Sequence, residues 1–406
     1  MSGVIDRSAL MHTYAEPAVT FVRGAGSELW DTEGRRYLDF LSGLAVTGLG
    51  HAHPAVAEAL AEQAGTLLHV SNLFGNTVGP EVAATLDRLV GGGEARAGGQ
   101  VFFTNSGAEA NECALKLARK WAGPGRHVVV STWGAFHGRT LATLHATGQP
   151  EKHAPFAPLP EGFEHVAYND LAALEAACAP DNVAAVLLEP IQGEAGVIAP
   201  SSDYLGGVRE LCTERGILLM VDEIQTGLGR TGRWFGFQHT GIEPDVVTMA
   251  KALGNGVPIG ACWARAEVAA AFSPGDHGST FGGQPLAAAA ARATLAVMEA
   301  EDVPARAARA GARLRAGLEV VDGVVGVRGA GLLLGVALDH DRAKDVVGAA
   351  LRRGLVVNAP RPDTIRLAPS LLVGDDEIDE GVALLATALA DVAGATTTAA
   401  ASAGAP

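Results

Sequence analysis

The chain has 406 residues, of which 48% are hydrophobic and 18% are charged, and its formal net charge is −15. This length and composition predict a globular protein with a sizeable core and room for more than one domain. The negative charge argues against nucleic acid or an anionic membrane surface as the main partner.

The sequence carries no recognisable export or membrane signal. Residues 1–17 lack the charged and apolar regions of a secretory signal, and no uninterrupted apolar run approaches about 18 residues. The four cysteines are scattered without a CxxC pair, which argues against a disulfide framework or a zinc site. We therefore expect a cytoplasmic protein with reduced thiols and no metal.

The N-terminal region predicts a hairpin and then a helix. SELWDTEGRRYLDF (27–40) alternates around a DTEG turn, as a β-hairpin does. HPAVAEALAEQAGTLLHV (53–70) has helical periodicity, with Pro54 at its first position.

From about residue 80, short apolar runs alternate with helical stretches. This pattern is typical of a mostly parallel sheet covered on both faces, in which ligands bind beyond the carboxyl ends of the strands. The predicted strands are QVFFTN (100–105), HVVVST (127–132), VAAVLLEP (183–190), ILLMVDE (217–223) and DVVTMA (245–250).

The last third of the chain predicts a smaller α+β unit. Two long helical patterns precede the apolar runs GVRGAGLLLGVAL (326–338) and TIRLAPSLL (364–372). We therefore predict an α/β fold with these segments: 1–55, packing with the small domain; 56–290, the large domain; 291–392, the small domain; and 393–406, a disordered small-residue tail.

Three strand ends carry candidate binding groups. Backbone N–H groups of Ser106, Gly107 and Ala108 open a helix and suit a phosphate, although this motif alone favours an ordinary strand–helix turn capped by Ser106. Asp222 suits either a solvated strand end or a cationic partner such as a pyridinium nitrogen. Lys251 is either a surface lysine or a buried amine with a lowered pKa.

The three ends together favour one cofactor. Lys251 follows Asp222 by 29 residues, about one crossover, so neighbouring strands can bring both to one crevice. A lysine Schiff base, an aspartate facing a pyridinium nitrogen and a phosphate cradle are the features of pyridoxal 5′-phosphate (PLP) chemistry. GLGRTG (227–232) matches G-x-G-x-x-G, but it opens no clear helix, so we interpret it as a loop.

Longer motifs lie between residues 105 and 371, within a similarity that runs from about residue 12 to 390. They are NSGAEANECALKLAR, WGAFHGRTLATLHATGQP, LLEPIQGEAGV, LLMVDEIQTGLGRTGRWFGFQHTGIEPDVVTMAKALGNGVPIGA, GSTFGGQPLAAAA, VRGAGLLLGV and IRLAPSL. On these motifs the chain resembles the class III (ornithine-type) PLP-dependent aminotransferases. The resemblance implies PLP-dependent transferase fold type I, with a seven-stranded-type sheet, and a transaminase activity of the EC 2.6.1 class.

Within that family, the resemblance is strongest to the branch that serves arginine biosynthesis. It implies transfer of the ω-amino group of N2-acetyl-L-ornithine to 2-oxoglutarate, giving N-acetyl-L-glutamate 5-semialdehyde and L-glutamate.

The resemblance also implies which residues hold the cofactor ring. Lys251 would form the Schiff base, Asp222 would keep the pyridine nitrogen protonated, Gln225 would bond the ring 3-oxygen, and Phe136 would stack on the ring.

For the cofactor phosphate, the resemblance implies groups from two chains. Ser106, Gly107 and Ala108 would bind it at the helix start, and Thr280 would reach the phosphate of a neighbouring subunit. The expected active unit is therefore a homodimer with its sites at the interface.

Four further residues are implied for the substrates. Arg139 and Ser279 would bind acetylornithine, Arg139 through a bidentate contact with its carboxylate. Arg366 would take the α-carboxylate of glutamate or 2-oxoglutarate. Glu194 would neutralise Arg366 when the other substrate is bound, although a surface or capping carboxylate is the alternative.

Some positions do not follow the family pattern or have no assigned role. Asn255 stands where relatives commonly have glycine, and Gln284 stands where asparagine is commoner. For His137, which follows Phe136, we expect a packing role rather than a catalytic one.

Other functions stay open at this point. The ω-amine could belong to ornithine, succinylornithine, N-succinyl-diaminopimelate, 4-aminobutyrate or lysine, and the chain could also be a PLP aminomutase or a non-catalytic binding protein. Arg366 with Glu194 favours a transferase with two substrates, and Lys251 with Asp222 argues against a non-catalytic protein.

Overall fold

The structure is a computed structural model that describes residues 9–403. Its strands are β1 (Phe21–Ala25), β2 (Glu28–Asp31), β3 (Arg36–Asp39), β4 (Gly99–Thr104), β5 (Val128–Thr132), β6 (Phe163–Val166), β7 (Val183–Leu188), β8 (Leu218–Asp222), β9 (Val246–Met249), β10 (Gly260–Arg265), β11 (Val324–Ala330), β12 (Leu333–Leu338), β13 (Leu355–Val356), β14 (Asn358–Arg361) and β15 (Thr364–Leu367).

The helices lie between these strands and cover them. They are α1 (Ser42–Ala45), α2 (Pro54–Thr66), α3 (Val78–Val90), α4 (Gly107–Ala122), α5 (Leu141–Ala146), α6 (Pro150–His153), α7 (Leu171–Ala177), α8 (Tyr204–Arg215), α9 (Ala266–Ala269), α10 (Pro285–Ala300), α11 (Val303–Leu318), α12 (Ala343–Arg352) and α13 (Asp375–Ala403). Three short 3₁₀ helices are Ala154–Phe156, Gly236–His239 and Lys251–Gly254.

The central sheet has seven strands in the order β4-β10-β9-β8-β7-β5-β6. Strand β10 pairs antiparallel with β4 and β9, and the other pairs are parallel. Every residue of β7 and β8 is buried, as expected for strands with helices on both faces. The predicted α/β fold with a mostly parallel sheet is confirmed.

The register of β8 and β9 places the candidate residues together. Asp222, the last residue of β8, pairs with Thr248 of the parallel neighbour β9. Lys251 follows the end of β9 by two residues. Because parallel strands end at the same edge of a sheet, both side chains lie at one edge, where ligands of such sheets bind.

Two four-stranded sheets flank this core, in the orders β1-β2-β3-β13 and β11-β12-β15-β14. The predicted N-terminal hairpin is confirmed by the antiparallel pairing of β2 with β3. Strand β3 also pairs in parallel with β13, which links the N-terminal strands to the C-terminal part of the chain. The domain limits stay a prediction, and helix α10 crosses the one at residue 290.

The C-terminal segment differs from the disorder that we expected from residue 393. Helix α13 continues to Ala403, because alanine, which dominates this segment, has the highest helix propensity. Residues 404–406, like residues 1–8, lie outside the described part of the chain. Within residues 9–403, no helix is long and apolar enough to cross a bilayer.

Arg230 joins the loop after β8 to the C-terminal sheet. This residue of GLGRTG lies in a turn, as predicted, and its side chain is buried. Its Nη1 donates to the carbonyl oxygens of Leu332 (3.1 Å) and Pro369 (2.5 Å), and burial lowers the pKa of its guanidinium to about 9. These carbonyl oxygens stabilise a cation that is only 1% exposed.

We expect Arg230→Met to lower the free energy of unfolding by about 2–4 kcal/mol, because two buried carbonyls lose their donor. Arg233→Met, at an exposed position of the same loop, is the matched control and should change stability by less than about 0.5 kcal/mol. Urea unfolding of both variants measures this. Equal stability of Arg230→Met and the parent protein would contradict the role given to Arg230.

Candidate active site

A cavity of about 990 Å³ lies at the carboxyl edge of the central sheet, beyond β4, β7, β8 and β9. Nine of the residues predicted from the sequence line it: Ser106, Gly107, Ala108, Phe136, Arg139, Glu194, Asp222, Gln225 and Lys251. Arg366 contacts this group through Glu194. Ser279 and Thr280 are not among the lining residues of this chain.

Asp222 is held by three hydrogen bonds, although its side chain is only 3% exposed. Its Oδ2 accepts from Asn111 Nδ2 (2.8 Å) and lies 2.8 Å from His137 Nδ1, and its Oδ1 accepts from the backbone N–H of Ile224 (3.0 Å). Thr248 Oγ1 donates to Asn111 Oδ1 (2.7 Å) and so fixes the orientation of that amide. The carboxylate is therefore oriented by the protein itself.

His137 does more than the packing role that we expected from the sequence. An ionised carboxylate only accepts hydrogen bonds, so His137 Nδ1 must carry a proton when it contacts Asp222 Oδ2. The imidazole is fully buried, and its Nε2 has no hydrogen-bond partner among residues 9–403. The sequence did not predict this contact, because Asp222 is 85 positions away and no local pattern shows such a partner.

Asn111 was missed in the sequence. It lies on the buried face of helix α4, among Ala110, Ala114 and Leu115. A polar amide among apolar residues on one helix face was the available signal, because buried amides need hydrogen-bond partners.

Lys251 has an unusual backbone conformation. Its φ is +42°, in the left-handed region, which costs a residue with a side chain about 1–2 kcal/mol. It begins the 3₁₀ helix Lys251–Gly254. Such strain persists only where the surrounding structure enforces it, and it is concentrated at functional sites.

The surroundings of Lys251 favour the neutral form of its amine. Burial, with the positive charge of Arg366, lowers the pKa of Lys251 below its ordinary value, although Glu194, Asp222 and Glu189 oppose this. A lower pKa leaves a larger fraction of neutral amine, which is the form that attacks a carbonyl.

Both departures from the family pattern have a structural explanation. Asn255 adopts φ +46°, which asparagine tolerates better than most residues, and its side chain bonds Leu49 N (2.8 Å) and Gly50 O (3.1 Å). Gln284 caps helix α10, since its Oε1 accepts from Leu286 N (3.0 Å).

The start of helix α4 forms one wall of the cavity. Ser106 is its N-cap, and its Oγ accepts from Glu109 N (3.2 Å). The N–H groups of Gly107 and Ala108 belong to the first turn, where no carbonyl of the helix can accept from them. Gly107 leaves room for Ile224, whose Cδ1 would lie 2.7 Å from an added Cβ. An anion in the cavity can therefore approach these N–H groups.

Arg366 and Glu194 form an ion pair at the cavity wall. Arg366 Nη1 donates to Glu194 Oε1 at 2.7 Å, and the exposed side-chain fractions are 1% and 30%. Asn358 and Gln225 accept from the same guanidinium at 3.1 and 3.3 Å. Burial opposes ionisation of Glu194, but Arg366 and the other nearby cations hold its pKa below the ordinary value. The predicted contact of these two residues is present.

Glu189, another residue that sequence reasoning missed, follows β7 at the cavity. Its Oε1 accepts from Phe136 N (3.0 Å) and its Oε2 from Gly193 N (3.1 Å), so it positions the segment that carries the aromatic ring. Burial raises the pKa of Glu189 to about 7. A carboxylate directly after a buried strand was the signal in the sequence.

Ser279 and Thr280 lie next to each other outside the cavity. Ser279 Oγ accepts from Asn105 Nδ2 (3.2 Å) and from Gly282 N (2.9 Å), and Asn105 lines the cavity. Thr280 is exposed.

Comparison with known proteins identifies the family. A profile of the class-III aminotransferases matches residues 10–389. The chain belongs to this family. Acetylornithine aminotransferase of Corynebacterium efficiens is 51% identical over 387 residues, 94% of this chain and 95% of that protein. The Mycobacterium tuberculosis acetylornithine aminotransferase is 48% identical over 391 residues, 96% of each chain.

Solved structures agree with this assignment. Ornithine aminotransferase from Toxoplasma gondii is 38% identical, with a TM-score of 0.89 over 95% of this chain and 94% of that chain. N-acetylornithine aminotransferase from Stenotrophomonas maltophilia is also 38% identical, with a TM-score of 0.81 over 94% of this chain and 98% of its own.

Class-III aminotransferases use PLP, and the cavity of this chain fits that cofactor. The start of helix α4 offers N–H groups that can bind a phosphate. The buried carboxylate of Asp222 can pair with a cationic nitrogen, and the amine of Lys251, with its lowered pKa, can react with an aldehyde. These three groups line one cavity.

We expect Glu189→Gln to change how stability depends on pH. A carboxyl whose pKa rises to about 7 on folding from an ordinary 4.5 contributes stability that is complete below pH 4.5 and is lost as the pH rises to about 7. Glutamine has no such dependence, so the variant should gain roughly 1–3 kcal/mol relative to the parent between pH 4.5 and 7.

Urea unfolding of both proteins at several pH values measures this difference. Glu164→Gln, at an exposed position, is the control and should run parallel to the parent. A Glu189→Gln curve that also runs parallel would contradict the raised pKa.

Proposed function

We propose that the chain transfers the ω-amino group of N2-acetyl-L-ornithine to 2-oxoglutarate, forming N-acetyl-L-glutamate 5-semialdehyde and L-glutamate in arginine biosynthesis. The observation that carries this proposal is the Arg366–Glu194 pair at a cavity that also holds Arg139, Lys251 and Asp222. Relatives that are 51% and 48% identical and bear the name acetylornithine aminotransferase support the donor.

When bound, PLP supplies an aldehyde that exchanges amines and an electron sink for the carbon that loses its proton. Asp222, oriented by Asn111 and His137, would stabilise a positive charge on the ring nitrogen. The N–H groups at the start of α4 would bind the phosphate. Lys251 Nζ carries the proton away from the substrate carbon that bears the amino group, and later returns it.

The ion pair solves a problem of charge in a pocket that serves two substrates. Acetylornithine enters with a cationic amine, which a bare Arg366 would repel, and Glu194 neutralises that arginine. Glutamate and 2-oxoglutarate bring a second carboxylate, which takes the place of Glu194 on Arg366. Arg139 then binds the carboxylate at the far end of either substrate.

We also propose that two copies of the chain form the active unit. Large apolar side chains are exposed near Ser279 and Thr280, with Leu73 at 87%, Phe74 at 68% and Phe281 at 59%. Burial of such a patch against a second copy would stabilise a dimer and bring Thr280 toward the partner's phosphate site. Four buried free cysteines fit a cytoplasmic location, where thiols stay reduced.

Lys251→Ala should abolish turnover, by about 10³-fold or more, because no other group replaces its amine in proton transfer. The protein should also lose the visible absorbance of lysine-linked PLP. Lys344→Ala, at an exposed position on α12, is the control and should keep both properties. Steady-state activity retained by Lys251→Ala would rule out the proposed mechanism.

The donor is tested by mixing the PLP-loaded protein with acetylornithine, ornithine, succinylornithine and 4-aminobutyrate in the absence of an oxo acid. We expect acetylornithine to react at least about tenfold faster than ornithine, whose second ammonium is repelled by Arg139. The decay of the cofactor absorbance reports each rate. Faster reaction with ornithine would show that the donor is wrong.

A further inference from the structure

The two-substrate function proposed above requires Glu194 to leave Arg366, and the structure indicates which of the two moves. Arg366 is 1% exposed and is held by Asn358 and Gln225, so its guanidinium stays in place. Glu194 is 30% exposed. A dicarboxylate that binds Arg366 therefore displaces the glutamate rather than the arginine.

A displaced Glu194 still carries a negative charge near the cavity. The cations whose fields act on it include Arg366, Lys251 and Lys152. Arg366 is the group that it leaves, and Lys251 is engaged in amine chemistry. Lys152 is the cation of these three that stays available.

Lys152 lies on the short helix α6, beside the ring that lines the cavity. Its Nζ is 5.5 Å from the centre of the Phe136 ring, and the guanidinium carbon of Arg139 is 5.6 Å from the same centre. Its Nζ also donates to Gln149 Oε1. Lys152 and Arg139 thus place two positive charges around one aromatic side chain.

Lys152 has unused capacity for an anion. Burial and the charge of Arg139 lower its pKa, whereas Glu194 and, to a smaller extent, the neighbouring Glu151 oppose this change. In the part of the chain that the structure describes, no carboxylate lies within ion-pair distance of Lys152 Nζ. Lys120 on helix α4 differs in this respect, because it forms an ion pair with Asp276. Arg139 is a weaker candidate to receive Glu194, because the proposed function assigns it to the far carboxylate of both substrates.

We propose that Lys152 is the second ion-pair partner of Glu194: it binds the Glu194 carboxylate when a dicarboxylate substrate occupies Arg366. We call this exchange the Glu194 gate, which is closed when Glu194 pairs with Arg366 and open when it pairs with Lys152. Glu194 then alternates between a buried guanidinium and a partly exposed ammonium, and it is neutralised in both positions. Without Lys152, the open position of the gate would leave Glu194 unpaired beside the incoming dicarboxylate, which it would repel.

The test uses the PLP-loaded protein with Lys152→Met, which keeps the length of the side chain but not its charge. Glutarate, a dicarboxylate that cannot react, should bind about tenfold more weakly than to the parent in titration calorimetry. The reaction of the pyridoxamine form with 2-oxoglutarate should need a correspondingly higher concentration. The rate with acetylornithine, for which the gate is closed, should stay within about twofold of the parent.

Two further variants separate the gate from other roles. Lys152→Arg keeps the charge and should restore glutarate affinity. In a Glu194→Gln background there is no displaced charge to receive, so Lys152→Met should then have no effect on glutarate binding. An equal loss of affinity in that background would overturn the proposal, because Lys152 would then contact the dicarboxylate itself.

Failure of the gate proposal differs from failure of the proposed function. If the parent protein does not react with acetylornithine, the donor proposal fails, and the glutarate titrations still decide the role of Lys152. If the parent reacts normally and Lys152→Met binds glutarate as the parent does, the gate proposal is wrong and the function stands.

Discussion

The buried carboxylate of Asp222 is the constraint on which the rest of the site depends. A charge that is 3% exposed is stable only if donors and a cation surround it. Asn111, His137 and the backbone N–H of Ile224 supply the donors, and each comes from a different segment of the chain. In the function proposed above, a protonated ring nitrogen would supply the cation, and the buried carboxylate would favour that protonation state of the cofactor.

Arg366 and Glu194 form a second set of charges at the cavity, and the buried member, Arg366, also needs a counter-charge. Arg366 is as buried as Asp222, but its counter-charge, Glu194, is exposed enough to move. In the function proposed above, Asp222 is the fixed charge that prepares the chemistry, whereas the Arg366–Glu194 pair is exchangeable and serves selection between substrates. A fixed charge with a mobile partner lets one pocket accept ligands of different net charge without rebuilding its walls.

Much of this arrangement could be predicted from the sequence, because it depends on strand ends. Buried runs such as ILLMVDE and DVVTMA locate two strands, and because neighbouring parallel strands end at the same edge, Asp222 and Lys251 lie at one edge of the sheet. The partners of Asp222 could not be predicted this way. Asn111 and His137 lie 111 and 85 positions from it in sequence, and no local pattern encodes such contacts. The positive φ of Lys251 and Asn255 also depends on the folded surroundings.

Asn255 joins two parts of the chain that are far apart in sequence. Its carboxamide binds Leu49 N and Gly50 O, and it lies four residues after Lys251 in the same tight turn. The segment that contains Leu49 and Gly50 also carries Val46 and Leu44, which line the cavity. The side-chain amide of Asn255 therefore links the turn that begins at Lys251 to a segment that lines the cavity. A substrate that displaces Leu44 would therefore act on the segment that Asn255 holds, four residues from the lysine.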